Sequence, residues 1–180
     1  RHADAAAAIA HCERLCEQGA DLLDIGGEST RPGAKPPSLE EERSRIMPVL
    51  RHAVSLGVPV SVDTRRAALM REALDAGADI VNDVMALRGE GAEQVLAAPP
   101  RAGVCLMHMR GEPATMQEAP QYDDVAAEVA AFLAERAARL KALGVAPARI
   151  VLDPGIGFGK RLEHNIRLHR GIPSLLKLGF

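Results

Sequence analysis

Five side chains that could bind a ligand stand at the ends of short apolar runs: Glu28, Asp63, Asn82, His108 and Asp153. A carboxylate beside a buried strand is costly unless a donor pairs with it. A fused pyrimidine ring with an amino group next to a ring N–H could pair with it at two points, as a guanidinium does. Asn, which both donates and accepts, suits the mixed edge of the same ring. Asp63, Asn82 and Asp153 are therefore interpreted as a receptor for a flat, donor-rich heterocycle.

Two other roles compete for these three residues. Their oxygen atoms suit Mg2+ or Ca2+, but the residues follow separate runs and lack the spacing of a metal-binding loop. Each could also cap the following helix, the commoner role for any one such residue, although three at equivalent positions favour the receptor. His108, between two methionines, is more typical of a packed histidine than of a catalyst. Met107 is better placed to touch a ring, because thioethers pack well on aromatic faces.

The loop after the first run, in the stretch LLDIGGESTRPGAKP (residues 22–36), is rich in glycine, hydroxyl and charged residues. Its two adjacent glycines allow the backbone N–H groups to approach a ligand. Thr30 offers a hydroxyl, and Arg31 offers a planar fork for a phosphate or a carboxylate. The loop is therefore expected to hold an anionic leaving group or a second substrate. The alternative is a surface ion pair of Arg31 with Glu28 or Glu40, which would contribute little.

The segment DPGIGFGK, residues 153–160, follows the last apolar run. It is not a phosphate-binding P-loop, because Pro154 stands where that motif needs Gly and Lys160 is followed by Arg161. Its glycines also miss the spacing of the dinucleotide-binding fingerprint. Phe158, in a chain with three Phe, one Tyr and no Trp, could line a flat ligand or pack beneath the loop. The segment alone favours neither role.

The elements that position these residues alternate between strands and helices. Five apolar runs are typical of fully buried parallel strands: LLDI (22–25), VPVSV (58–62), DIVN (79–82), VCLM (104–107) and RIVL (149–152). A capping box at Ser38 and Glu41 predicts the start of a helix, and an apolar stripe predicts another over 124–143. The segments EQGADLLDI (17–25) and DAGADIVND (75–83) repeat the order helix end, Gly-Ala-Asp, strand.

This βα repeat predicts an α/β fold, either an open doubly wound sheet or a (β/α)8 TIM barrel. Polar residues after every strand favour the barrel, because the carboxyl ends of barrel strands converge on one mouth. A barrel usually takes about 250 residues, so five strands in 180 residues predict about five βα units of an incomplete barrel. We expect residues 1–180 to form one partial domain that lacks the first strand and the last two or three.

The composition excludes several classes of function. A formal net charge of -2 argues against nucleic acid or a membrane as the main partner. No apolar run approaches the ~18 residues of a membrane-spanning helix. The chain has three widely spaced cysteines, which predict no disulfide framework and favour the cytoplasm.

Several of these segments resemble one family. LDIGGESTRPGA, SVDT, NDV, VCLMHMRGEPATMQ, YDDV and LDPGIGFGK follow the order and spacing of dihydropteroate synthase over essentially the whole chain. The resemblance implies a TIM barrel, usually a homodimer, that condenses 6-hydroxymethyl-7,8-dihydropterin pyrophosphate with p-aminobenzoate in folate biosynthesis. It also implies a Mg2+ cofactor and a target of sulfonamides.

Carried over residue by residue, the resemblance gives each candidate a role. The implied pterin ligands are Asp63, Asn82, Met107 and Asp153. The implied residues of the pyrophosphate and p-aminobenzoate pockets are Thr30, Arg31, Phe158 and Lys160. Asp63, Asp153 and Arg31 would act in catalysis. The implied metal ligand, an Asn of an N-V-T-P-D-S-F-S segment, is absent from this chain, as are the S-R-K and R-x-H segments. The chain alone is therefore not expected to be an active enzyme.

Two other interpretations stay open. A pterin-binding methyltransferase that uses methyltetrahydrofolate would share the Asp and Asn receptor, but it would not need the Ser-Thr-Arg-Pro loop. A non-catalytic synthase-like subunit that supports a partner is the second, although every implied site residue within this chain is present.

Overall fold

The structure is a computed structural model that describes residues 4–31, 33–98, 102–113 and 115–180. Helices and strands alternate through this part of the chain. They are α1 (Ala5–Glu17), β1 (Leu23–Gly26), α2 (Leu39–Val54), β2 (Val60–Asp63), α3 (Ala67–Asp75), β3 (Ile80–Asp83), α4 (Ala92–Ala97), β4 (Gly103–Met107), α5 (Val125–Ala142), β5 (Ile150–Asp153) and α6 (Leu162–Leu176), with a 3-10 turn at Pro147–Arg149 before β5. All five predicted strands are confirmed.

The five strands form one parallel sheet in the order β1-β2-β3-β4-β5. A doubly wound sheet reverses its strand order at a switch point. In a TIM barrel each new strand is added next to the preceding one. The uninterrupted order therefore confirms the prediction of a partial barrel.

The capping signals of the sequence are realised in the structure. Ser38 accepts a hydrogen bond from the backbone N–H of Glu41, and Glu41 accepts one from the N–H of Ser38, which starts α2. α2 continues through Pro48 to Val54. Asp124 caps α5 in the same way, by accepting from two backbone N–H groups of the first turn. In the repeated Gly-Ala-Asp segments, Gly19 and Gly77 take positive φ angles of 89° and 104°, which glycine adopts without strain.

The two faces of the sheet differ in character. One face packs on the helices and forms the main core with side chains that include Val60, Val62, Val81 and Val104, none of which is exposed. Side chains alternate between the faces along each strand, and residues in register share a face. The opposite face therefore carries the polar side chains of the strand ends, Asp63, Asn82 and Asp153, which are called the polar series below. Val151 also lies on that face and is 59% exposed, so this face is open along β5.

Candidate active site

The predicted pterin ligands lie on the face opposite the helices. The Cα atoms of Asp63 and Asn82 are in register, and Asn82 is in turn in register with Cys105. Met107, two residues beyond Cys105 on β4, is in register with Asp153 on β5. Neighbouring strands lie about 4.8 Å apart, so the four predicted ligands form one group at the carboxyl ends of β2 to β5.

Asp63 is half-buried, and none of the described residues donates a hydrogen bond to its carboxylate. Burial raises the pKa of Asp63 to about 7, and the negative charges of Asp24, Asp83, Glu42 and Glu28 raise it further. Burial and these negative charges disfavour the ionised carboxylate, so a hydrogen-bond donor on a bound ligand would stabilise it more than the described residues do. It suits a ligand that presents N–H groups.

Asn82 is oriented by a second carboxylate on the same face. Its amide Nδ2 donates to Oδ2 of Asp24 across 3.3 Å. With the nitrogen directed to Asp24, the amide oxygen is the acceptor that a ligand can use. Asp24 lies in the run LLDI, whose composition predicts a strand but not a contact with the site. Its alternation with Leu23 and Ile25, both buried, is the signal that places it on the site face.

Asp153 begins the glycine-rich loop as well as facing the site. Its Oδ1 accepts a hydrogen bond of 2.7 Å from the N–H of Gly155. Gly155 has a φ of +66°, and a Cβ there would lie 2.0 Å from the carbonyl oxygen of His108. Only glycine permits this approach. This bond lies within the loop, and α6 begins only at Leu162 with Arg161 as its N-cap, so the helix-capping alternative for Asp153 is wrong.

Lys160 closes the same loop with a buried ammonium group. Its side chain is only 3% exposed. Its Nζ lies within 3.2 Å of the carbonyl oxygens of Gly155, Phe158 and His108 and 3.0 Å from Nδ1 of His108. Burial lowers the pKa of Lys160 to about 8, partly offset by Asp153. The expectation that His108 is a packed, hydrogen-bonded residue is confirmed: burial and then Lys160 lower its pKa to about 3, so the imidazole is neutral.

Phe158 belongs to a second, smaller apolar cluster beside the polar series. The buried members are Val84, Met107, Met109 and Met116, and Met85 and Phe158 pack against them while staying partly exposed. Met107 links this cluster to the polar series, because its Cα is in register with that of Asp153. Thioethers and an aromatic ring together form a surface that suits a flat ligand.

The loop after β1 presents Arg31 to solvent, while Thr30 is half-buried. The surface pairs considered for Arg31 are not formed, because Glu28 pairs with Arg65 and Glu40 pairs with Arg43. Pro32, the residue after Arg31, lies outside the described residues.

Two ion-pair groups near the site were missed by sequence reasoning. Arg65 binds Glu28 at two points, 2.9 Å and 3.1 Å, and so joins the loops after β1 and β2. Glu42 is fully buried on α2, where it accepts from the hydroxyl of Thr64 at 2.6 Å and from Nε of Arg66 at 2.7 Å. The periodicity of α2 places Glu42 on its buried face, which was the available signal.

The described residues contain no group of three or more His, Cys, Asp or Glu side chains that could hold a metal ion. Across the same part of the chain, no helix is long and apolar enough to cross a membrane.

The sequence profile of the pterin binding enzyme family matches residues 1–180. The chain belongs to the pterin binding enzyme family. A pterin is a flat heterocycle that carries ring N–H groups and an amino group, which is the class of ligand predicted for the strand ends.

Similar proteins extend the comparison. A curated dihydropteroate synthase of Neisseria meningitidis serogroup C is 54% identical over 174 residues, which cover 96% of this chain and 62% of that protein. A structure of a Xanthomonas albilineans dihydropteroate synthase with 4-aminobenzoic acid superposes with a TM-score of 0.91 at 47% identity, covering 99% of this chain and 63% of that one. A Yersinia pestis dihydropteroate synthase in a sulfonamide drug complex has a TM-score of 0.94 at 41% identity, covering 98% and 64%. The chain thus spans less than two thirds of the length of these proteins.

Proposed function

We propose that the polypeptide carrying this chain is a dihydropteroate synthase. It would join 6-hydroxymethyl-7,8-dihydropterin pyrophosphate to p-aminobenzoate, giving 7,8-dihydropteroate and pyrophosphate. The observation that carries the proposal is the grouping of Asp63, Asn82, Met107 and Asp153 on one face at the strand ends. The dihydropteroate synthases to which this chain is similar support it.

The pterin is proposed to bind through the polar series. The carboxylates of Asp63 and Asp153 accept from the amino group and ring N–H groups, and Asn82 meets the mixed edge of the ring. Met107 packs against the ring face. The carboxylate of Asp63, to which no described residue donates, is the strongest acceptor available to such a ligand.

The second substrate is proposed to lie between the loop after β1 and the glycine-rich loop. Thr30 contributes a hydroxyl and Arg31 contributes an exposed guanidinium group, which suit the pyrophosphate or the carboxylate of p-aminobenzoate. Phe158 contributes an aromatic face next to the methionines. The Xanthomonas albilineans structure with 4-aminobenzoic acid and the Yersinia pestis sulfonamide complex support a pocket for this class of molecule. Sulfonamides are accordingly proposed as inhibitors.

In this reaction the carbon–oxygen bond to pyrophosphate breaks, and pyrophosphate keeps the electron pair. The resulting cation is delocalised into the pterin ring. The amine of p-aminobenzoate then forms the new carbon–nitrogen bond and releases one proton to water. Asp63 and Asp153 stabilise the positive charge as it develops on the ring, and Arg31 stabilises the departing anion. Holding the two substrates in contact supplies much of the remaining rate enhancement.

Three further properties are proposed for the whole polypeptide. Mg2+ would be bound by pyrophosphate and by the Asn of the N-V-T-P-D-S-F-S segment that the resemblance implies for the whole polypeptide. The protein would be a homodimer, and it would act in the cytoplasm.

Release of pyrophosphate by the whole polypeptide tests the function. We expect release from the pterin substrate only when p-aminobenzoate is present, and a fall of at least about 100-fold in Asp153→Ala. Asp123→Ala, at an exposed position before α5, is the control and should retain full activity. Pterin binding without release that depends on p-aminobenzoate would contradict the proposal and favour a methyltransferase or a supporting subunit.

A further inference from the structure

We propose that Lys160 is a positioning residue whose ammonium group fastens the glycine-rich loop to His108 and so sets the place of Phe158, without contacting p-aminobenzoate itself. The inference rests on the function proposed above for the second pocket. It differs from the direct pocket contact that the resemblance implies for Lys160.

The first observation is the number of donors and acceptors. An ammonium group has three N–H donors. Four acceptors surround this one: the carbonyl oxygens of Gly155 at 2.9 Å, Phe158 at 3.0 Å and His108 at 3.2 Å, with Nδ1 of His108 at 3.0 Å. All three protons are therefore used within the protein. A substrate carboxylate could bind only by displacing one of these partners from a side chain that is 3% exposed.

The second observation is the close contact between the glycine-rich loop and the loop after β4. A Cβ on Gly155 would lie 2.0 Å from the carbonyl oxygen of His108, and one on Gly159 would lie 2.7 Å from that of Arg110. Backbone carbonyls of both loops are thus brought together, and their like partial charges repel. The ammonium group placed among these oxygens offsets the repulsion. The hydroxyl of Tyr122 adds a bond of 2.9 Å to the carbonyl oxygen of Gly159.

The third observation concerns the charges around Lys160. Nδ1 of His108 accepts a hydrogen bond from the Lys160 ammonium group, so the imidazole carries its own proton on Nε2 and stays neutral. Burial lowers the pKa of Lys160 to about 8, Asp153 from β5 offsets part of this shift, and Arg110, in the loop after β4, adds to it. The charged form therefore predominates at neutral pH and is lost as the pH rises through about 8.

The consequence lies at Phe158. The loop is fixed at its first turn, where Asp153 accepts from the N–H of Gly155. It is fixed again where the Phe158 carbonyl accepts from Lys160. Between these two points the ring of Phe158 is held against the methionine cluster. Without the ammonium group, the carbonyl of Phe158 loses this bond. The bonds that join Gly157 to Asn165 and Gln117, and Gly159 to Tyr122, remain, so Phe158 is held less tightly but is not released.

The test uses Lys160→Met in the whole polypeptide, with Lys177→Met, at an exposed position after α6, as the matched control. Amide hydrogen exchange of residues 154–161 reports the loop directly and does not depend on any reaction. We expect exchange in this segment to be at least tenfold faster in Lys160→Met and unchanged in the control. Unchanged exchange in Lys160→Met would overturn the proposal, whether or not the synthase activity is found.

A second measurement separates positioning from direct contact. Affinities for 4-aminobenzoate and its uncharged amide, 4-aminobenzamide, are compared in both proteins. A positioning role weakens both ligands by the same factor, at least about tenfold, and leaves their ratio within twofold of the wild type. If Lys160→Met weakens only 4-aminobenzoate, the ammonium contacts the carboxylate and the proposal fails.

The wild type provides the test if Lys160→Met does not fold. Exchange of residues 154–161, corrected for its intrinsic pH dependence, should rise at least threefold between pH 7 and pH 9.5, with no matching rise in α5. A corrected rate that stays constant across this range would overturn the proposal.

Discussion

Replacing Asp63 by Asn is expected to stabilise the folded protein at pH 8 while removing a pterin ligand. The pKa of Asp63 rises from 3.8 to about 7, first because of burial and then because of nearby carboxylates. The folded state therefore binds this proton more tightly than the unfolded state does. The ionised carboxylate disfavours folding fully above pH 7, less as the pH falls through 7, and no longer below about 3.8.

The size of the effect follows from the shift. About three pKa units at ~1.4 kcal/mol each give an upper limit of about 4 kcal/mol at pH 8. At pH 5 the carboxyl group of the folded protein is protonated, and only the interval from 3.8 to 5 still contributes. The gain from Asp63→Asn should then be about 2 kcal/mol.

Urea unfolding of the whole polypeptide at pH 8 and pH 5, followed by circular dichroism, measures both values. Asp75→Asn, at an exposed position that ends α3, is the control and should change the free energy of unfolding by less than about 0.5 kcal/mol. Pterin affinity of the wild type should also fall about tenfold per pH unit below 7. The reasoning is refuted if Asp63→Asn is no more stable than the wild type at pH 8, or if the gain does not shrink at pH 5.

Two further substitutions test the packing around the site. Gly155→Ala should cost at least about 3 kcal/mol of unfolding free energy, and Gly157→Ala should cost about 1 kcal/mol. Both glycines have a positive φ, but of the two only Gly155 would place a Cβ within 4 Å of a neighbour. Equal costs in urea unfolding would contradict the close contact with the loop after β4. Glu42→Ala should cost about 3 kcal/mol, because it leaves a buried hydroxyl and a guanidinium without their acceptor. Glu40→Ala, an exposed control on the same helix, should cost less than about 0.5 kcal/mol. Similar unfolding temperatures for the two variants would show that the buried carboxylate of Glu42 does not stabilise the fold.

The strands, the helix starts and the grouping of the strand-end residues could be predicted because each depends on local sequence. Apolar runs of four or five residues, a capping box at Ser38 and a repeated Gly-Ala-Asp segment fix short pieces of the chain. In a parallel sheet these pieces bring their carboxyl ends to one edge. The position of Asp63 next to Asn82, 19 positions later in the chain, therefore followed from two separate runs.

The contacts between loops could not be predicted in the same way. The pair of Lys160 and His108 joins residues 52 positions apart, and the pair of Arg65 and Glu28 joins residues 37 apart. No periodicity in the sequence relates such positions. Their pairing depends on how closely neighbouring loops pack. Gly155 permits this close packing, but it does not determine which residues pair.

Binding of two related heterocycles to the whole polypeptide tests the central claim most directly. Calorimetric titration would compare a 2-amino-4-oxopteridine with the same ring lacking the 2-amino group. If Asp63, Asn82 and Asp153 form a receptor for a donor-rich ring, loss of that group should weaken binding at least about 100-fold, since a desolvated carboxylate is left without its donor. Equal affinity for the two rings would contradict the claim that these strand-end carboxylates recognise the pterin.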